Sequence, residues 1–218
     1  VQQLYNTPDS GLLSLPFAVY PTVTFYNKTL FDAIKLNYPP AHFGEKYRMP
    51  DGSLVNWNYD TLAQIARMRT LNAHGHNANA PQFDSTQTVQ FGLNFQWQTV
   101  RTILTDIQPD PFYNSKSNRI SIGQPWRTAT QWLQNALWKD HIIPGGTFDT
   151  DKAFQPSAFA AGHVAMAIVP IWYTCCLANS LVQHHWNIGV VPWIPYRTTF
   201  RPLSIVRVLI NSHDFMLH

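Results

Sequence analysis

The stretch LPFAVYPTVTFYNKTLF, Leu15 to Phe31, decides how the chain is read. Its middle is apolar and β-branched, its end is helix-compatible, and a proline, Pro21, directly follows an aromatic, Tyr20. Proline has no N–H to give to a ladder, so it is tolerated only at an edge, a bend or a strand end. The run therefore reads as a strand that bends near Tyr20. A short helix over YNKTLFDAI (26–34) follows, with Leu30, Phe31 and Ile34 at helical spacing. A ligand placed against that bend would meet Tyr20.

Downstream, NYPPAHFGEKYRMPDGSLV (37–55) is rich in Pro and Gly and carries the turn signal PDGS, so it reads as a small hairpin excursion. A clear helix begins in NWNYDTLAQIARMRT (56–70). Asn58 caps it, Asp60 suits its positive end, and Leu62, Ile65 and Ala66 form the buried stripe. LNAHGHNANAPQFDSTQT (71–88) reads as a surface loop and VQFGLNFQW (89–97) as a strand with an aromatic end. TDIQPDPFYNSKSNRIS (105–121) is loop-like. PWRTATQWLQNALWKDHI (125–142) is a helix with Pro125 in its first turn and Ala129, Trp132, Leu133, Ala136 and Leu137 on one face. AFQPSAFAAGHVAMAIV (153–169) reads as a short helix closed by Gly162, then a strand. WYTCCLANSLVQ (172–183) reads as a helix, and WNIGVVPW (186–193) and LSIVRVLI (203–210) as strands. Helices and short apolar strands alternate, which indicates α/β layering about a central sheet.

Composition narrows the function. The chain has 218 residues, enough for one large domain or two small ones with a sizeable core. Only 12% of residues are charged, against about 25% in ordinary globular chains. The net charge is +3 without a basic run, which argues against a nucleic-acid groove. No apolar segment is long enough to span a membrane. Aromatics reach 14% with eight Trp, which fits either a Trp-rich core or a surface that stacks on rings.

Dedicated chemistry is not signalled. His74 and His76, or His184 and His185, lack the spacing of a helical zinc pair. Cys175 and Cys176 are adjacent, a strained arrangement for a disulfide, and read as small buried apolar residues on a helix. The acids fall mostly in turns, and no nucleophile elbow, phosphate loop or dinucleotide fingerprint occurs, so neither catalysis nor a cofactor is indicated. The aromatics say more. Tyr20 sits at a bend after a strand, Trp97 ends another strand, and Trp172 follows VAMAIVPI. Ligands of open α/β sheets collect outside the carboxyl ends of strands, so these three point to a ring-stacking site.

Taken in order, LPFAVYPTVTFYNKTLFDAI, WNYDTLAQIARMRT, AFAAGHVAMAIVPIW and WNIGVVP resemble segments of the extracellular solute-binding proteins of sugar-type ABC importers, the family of maltose-binding protein. The similarity runs from about Gly11 to Pro192; YNK is a weak element of it and FAAGHVAM a specific one. The resemblance implies an α/β three-layer lobe with a mixed central sheet, incomplete beside the two-lobe family fold. It implies hinge and crossover over 1–20, a second lobe over 21–201, and a poorly matched return toward the hinge over 202–218. Tyr20 would then face the ligand at the cleft floor and Trp172 would stack on a sugar ring, with Phe95, Gln96 and Trp97 in a less constant cleft segment. The implied function is non-catalytic capture of an extracellular oligosaccharide for an ABC permease, with membrane attachment only through a lipid anchor upstream of these residues. The rival readings are a glycan-active enzyme with an unsignalled carboxylate pair, and a truncated remnant without a ligand.

Overall fold

A computed structural model of the chain describes residues 6–7, 11–12, 18, 20–107, 113–114, 117–120, 122–145, 154–155 and 157–192. The strand expected over 203–210, the return segment 202–218 and most of 1–19 lie outside these residues. In chain order the strands and helices are β1 (Asn6–Thr7), β2 (Gly11–Leu12), β3 (Thr22–Asn27), α1 (Lys28–Asp32), β4 (Lys46–Arg48), β5 (Leu54–Asn56), α2 (Tyr59–Arg69), β6 (Leu71–Asn72), β7 (Thr88–Asn94), α3 (Val100–Ile107), β8 (Tyr113–Asn114), β9 (Arg119–Ile120), α4 (Gln124–Gln134), β10 (Val164–Pro170) and β11 (Trp186–Gly189).

Among the described residues the central sheet has five strands in the order β11-β3-β10-β7-β6. β10 runs parallel to β7 and antiparallel to β3; β11 is antiparallel to β3, and β6 to β7. The sheet is therefore mixed, as expected. β10 is its centre. Its residues Val164 to Val169 are all buried, the continuous apolar run of a strand covered on both faces. On one face Tyr26, Leu93, Met166 and Ile168 meet α2 and α4 through Leu62, Ile65, Ala66, Ala129 and Leu133. On the other, Val23, Phe25, Ala167 and Val169 pack with Phe154, Phe159 and Tyr173. This second cover is built from turns at 158–162 and a 3-10 turn at Ile171–Cys176.

Local chemistry accounts for the elements. The hairpin β4–β5 closes on PDGS, where Gly52 takes φ 86° and Gly52 N–H donates to the Met49 carbonyl at 2.9 Å. Asn58 caps α2: its side chain accepts from Thr61 N–H at 2.9 Å, with Asp60 in the first turn. α4 starts with Pro125 in its first turn and runs on as a π turn through Asn135–Lys139. Strand β7 passes so close to α2 that a Cβ on Gly92 would lie 2.0 Å from the Ala66 carbonyl oxygen. Only glycine fits there.

Several elements differ from the sequence reading. In the opening stretch the described strand, β3, lies after Tyr20, where TVTFYN holds the β-branched and aromatic residues that a buried strand favours; the strand expected before the bend falls on residues outside those described. α1 is five residues long, and Ile34 lies beyond it, 45% exposed. The expected helix before Gly162 is a set of turns, although Gly162 at φ 81° still closes it, with His163 N–H reaching the Ala158 carbonyl at 3.0 Å. The helix expected from Trp172 is the 3-10 turn, and Cys175 is exposed and not buried. The loop at 71–88 contributes edge strand β6, and the loop-like 105–121 contains the end of α3 and the β8–β9 pair.

Candidate aromatic binding edge

Because β7 and β10 are parallel and β3 runs against them, the carboxyl ends of β7 and β10 and the amino end of β3 share one edge of the sheet. Trp97 follows β7, Trp172 follows β10, and Tyr20 precedes β3. All three therefore reach the same edge, Tyr20 from the opposite strand direction to the one expected. Tyr20 and Trp97 are about half exposed, at 53% and 50%. Trp172 is half-buried.

The two indoles form a single platform. Trp97 and Trp172 stack with centroids 5.9 Å apart and planes 4° from parallel. Beneath them Tyr173 is fully buried, edge-on to Trp97 at 5.7 Å and to Phe25 at 5.5 Å, and its hydroxyl pairs with Ser157 Oγ. The platform is thus rooted in the core. Trp97 itself holds φ 57°, a left-handed conformation that costs a bulky L-residue roughly 1–2 kcal/mol. Such strain persists only where neighbours over-determine it, and it clusters at sites of function.

Hydrogen bonds lock the three segments together. The Ile171 N–H donates to the Pro21 carbonyl at 2.9 Å, which ties the Tyr20 bend to the turn that bears Trp172. Pro21 lies just outside β3, where its missing N–H breaks no rung of the ladder. Gln98 Nε2 donates to the Ile168 carbonyl at 2.7 Å, which ties the Trp97 segment to β10. Thr22 Oγ1 donates to Asp106 Oδ1 at 3.3 Å, which ties the start of β3 to α3.

Asp106 was not singled out by sequence. It lies on α3, whose apolar residues Val100, Ile103, Leu104 and Ile107 follow helical spacing and could have revealed the helix. Burial raises its carboxyl from the ordinary value of 3.8 to about 6, against the lowering effect of Thr22 and Gln98. Asp106 Oδ2, Gln98 Oε1 and the Tyr59 hydroxyl are buried without a hydrogen-bond partner. Burial first, and then the nearby Asp106, holds the Tyr59 phenol well above its usual range. Gln98, Asp106 and Tyr59 thus form a buried polar cluster, joined to the start of β3 through Thr22.

The other two expected site residues are buried. Phe95 is 4% exposed and packs edge-on to Trp132 at 6.5 Å in the core under α4. Gln96 is 2% exposed, and its Oε1 accepts from Asn94 Nδ2 at 2.7 Å. They follow β7 immediately, before the chain reaches the open edge, so the core takes them. Among the described residues no group of three or more His, Cys, Asp or Glu is placed to hold a metal, and no helix is long and apolar enough to cross a membrane.

No protein-family model matches the chain, and no curated protein matches it. Solved structures do. M. tuberculosis UspC aligns with 87% of this chain and 46% of its own, at TM-score 0.60 and 21% identity. An ABC substrate-binding protein from Listeria monocytogenes, in complex with cycloalternan, aligns with 90% of this chain and 44% of its own, at TM-score 0.61 and 16% identity. The maltose/maltodextrin-binding domain MalE from Bdellovibrio bacteriovorus, bound to maltotriose, aligns with 88% of this chain and 42% of its own, at TM-score 0.54 and 16% identity. The chain has the fold found in sugar-binding solute-binding proteins of ABC importers and spans less than half the length of these structures.

Proposed function

We propose that this chain is the second lobe of a non-catalytic carbohydrate-binding protein that delivers an oligosaccharide to an ABC permease from outside the cell. Residues 21–201 form the lobe, 1–20 belong to the hinge, and a lipid anchor upstream of these residues would hold the protein at the membrane. One observation carries the reading: Tyr20, Trp97 and Trp172, distant in sequence, meet at one edge, with the two indoles stacked 5.9 Å apart. Sugar C–H faces pack on such rings, and sugar hydroxyls need polar partners around them. Phe95 and Gln96 then act from below, as support for the turn that carries Trp97. The low charge of the chain suits a neutral ligand.

Two lobes normally close on a ligand by hinge motion and remove most of its surface from water. A single lobe supplies about half the contacts, a loss of about 4 kcal/mol, or roughly a thousandfold in affinity. Calorimetric titration with maltose-, xylose- and cellulose-type oligosaccharides tests this on the chain alone and on the chain joined to a first lobe. Weak binding alone and far tighter binding when joined is the expected result. Equally tight binding by both would sink the two-lobe reading. Hydrolysis of any oligosaccharide, abolished by Asp106→Asn, would replace the binding protein with a glycan-active enzyme.

A further inference from the structure

Cys175 and Cys176, the only cysteines in the sequence, take no part in the platform described above but lie next to it in the chain. They end the 3-10 turn Ile171–Cys176, whose second residue is Trp172. Their Sγ atoms are 3.4 Å apart; Cys175 is exposed, Cys176 is half-buried, and both are free thiols. The turn is held at two points. Tyr173 is fully buried with its hydroxyl on Ser157, and Leu177 is buried with its N–H on the Thr174 carbonyl at 3.2 Å. The thiols lie between these anchors, within contact of each other and open to solvent on one side.

We infer that Cys175 and Cys176 form a redox-modification site, at which a low-molecular-weight disulfide oxidises the pair to a vicinal disulfide and reshapes the turn that carries Trp172. The exposed Cys175 reacts first. Its thiolate attacks one sulfur of the small disulfide, the S–S bond of that reagent breaks, and one thiolate leaves. Cys176 then gives up its proton and attacks Cys175 Sγ, forming the protein disulfide and releasing the second thiolate. Two protein thiols are oxidised by two electrons, and one small disulfide is reduced to two thiols that carry away both protons. Burial, and then the contact with Cys175, push the Cys176 thiol up to about 11, so Cys176 is not the sulfur that makes the first attack.

Ring closure cannot leave the turn unchanged. Cα atoms of neighbouring residues are about 3.8 Å apart, whereas ordinary disulfides span about 4.4–6.8 Å. Bringing the sulfurs from 3.4 Å to a bond of about 2.05 Å must therefore twist the peptide between them. A disulfide strained in this way is readily reduced, so the modification reverses. With Tyr173 and Leu177 anchored, the distortion falls on Thr174 to Cys176, and the bond from Thr174 Oγ1 to the Ile171 carbonyl at 3.1 Å carries it past Tyr173 to the segment that bears Trp172. Its effect on ligand capture rests on the carbohydrate reading above; the thiol chemistry does not.

The full chain is treated with oxidised glutathione, its remaining free thiols are alkylated, and its mass is measured without reduction. The expected product is lighter by two hydrogen atoms, has lost both alkylatable thiols, and regains them with dithiothreitol. Its tryptophan emission should shift on oxidation, a response that Trp172→Phe abolishes while ring closure persists. Cys175→Ser and Cys176→Ser should yield mixed disulfides only, with no emission shift. Wild-type chain that gives only a mixed disulfide, an intermolecular dimer or no reaction would overturn the site. Closure with unchanged emission would overturn the link to Trp172. Neither readout involves sugar, so failure here and failure of the carbohydrate reading are separable.

Discussion

Replacing Asp106 by Asn should stabilise the protein at neutral pH and leave it unchanged in acid. The Asp106 carboxyl is lifted from 3.8 to about 6 chiefly by burial, so its ionised form is disfavoured in the folded chain. Because the folded value lies above the unfolded one, the native state holds the proton more tightly. Stability from this group is full below about pH 4, falls as pH rises through the interval to 6, and stays low above it. A shift of about two units corresponds to about 3 kcal/mol. Asn keeps the shape, and its Oδ1 still accepts from Thr22, while its Nδ2 offers a donor to the unpaired Gln98 Oε1. Urea denaturation of both proteins between pH 4 and 8 measures the difference. It should be near zero at pH 4 and open to about 3 kcal/mol in favour of the variant at pH 7. A difference independent of pH, or a variant less stable than wild type at pH 7, would refute the burial argument. The same substitution should weaken sugar binding in a two-lobe protein, since a charge kept at a cost to stability beside a binding edge is the usual mark of a functional group.

Trp97→Ala should remove the outer half of the indole stack and lower oligosaccharide affinity of a two-lobe protein by about 2 kcal/mol, roughly thirtyfold by calorimetry. Trp172→Ala should cost at least as much, because it also undercuts Trp97. Gly92→Ala should destabilise by about 3 kcal/mol, since its Cβ would meet a backbone oxygen at 2.0 Å and neither α2 nor β7 can give way cheaply. Thermal unfolding should then shift down by roughly 10 °C. A Gly92→Ala protein with unchanged melting would show that β7 and α2 sit farther apart than described.

The charge of Asp106 and the strain at Trp97 share an edge with the exposed indole platform. Core packing alone asks for none of them. A half-exposed tryptophan in left-handed backbone and an acid buried with an unpaired oxygen each lower stability locally. Their convergence outside the same strand ends supports the proposed binding edge over an incidental aromatic cluster.

Sequence alone was enough for whatever depends on near neighbours in the chain. Asn58 caps α2 because a side-chain oxygen three residues from a free N–H can reach it, and PDGS turns because Gly52 tolerates positive φ. The apolar run of β10 and the periodic face of α4 were legible for the same reason. So was the placement of Trp97 and Trp172 after strands. What the tertiary structure decided was direction and partnership. Periodicity does not say that β3 runs against β10, and that reversal brings Tyr20, which precedes its strand, to the edge where Trp97 and Trp172 follow theirs. Nor does it say which side of a turn is covered: Phe95 packs against Trp132 of α4 and Gln96 is buried on Asn94, while Trp97, the next residue, is half exposed. Asp106 became visible only when Thr22, 84 positions earlier, was hydrogen-bonded to it. Burial and charge pairing depend on groups far apart in sequence, and only the folded chain sets the distance between them.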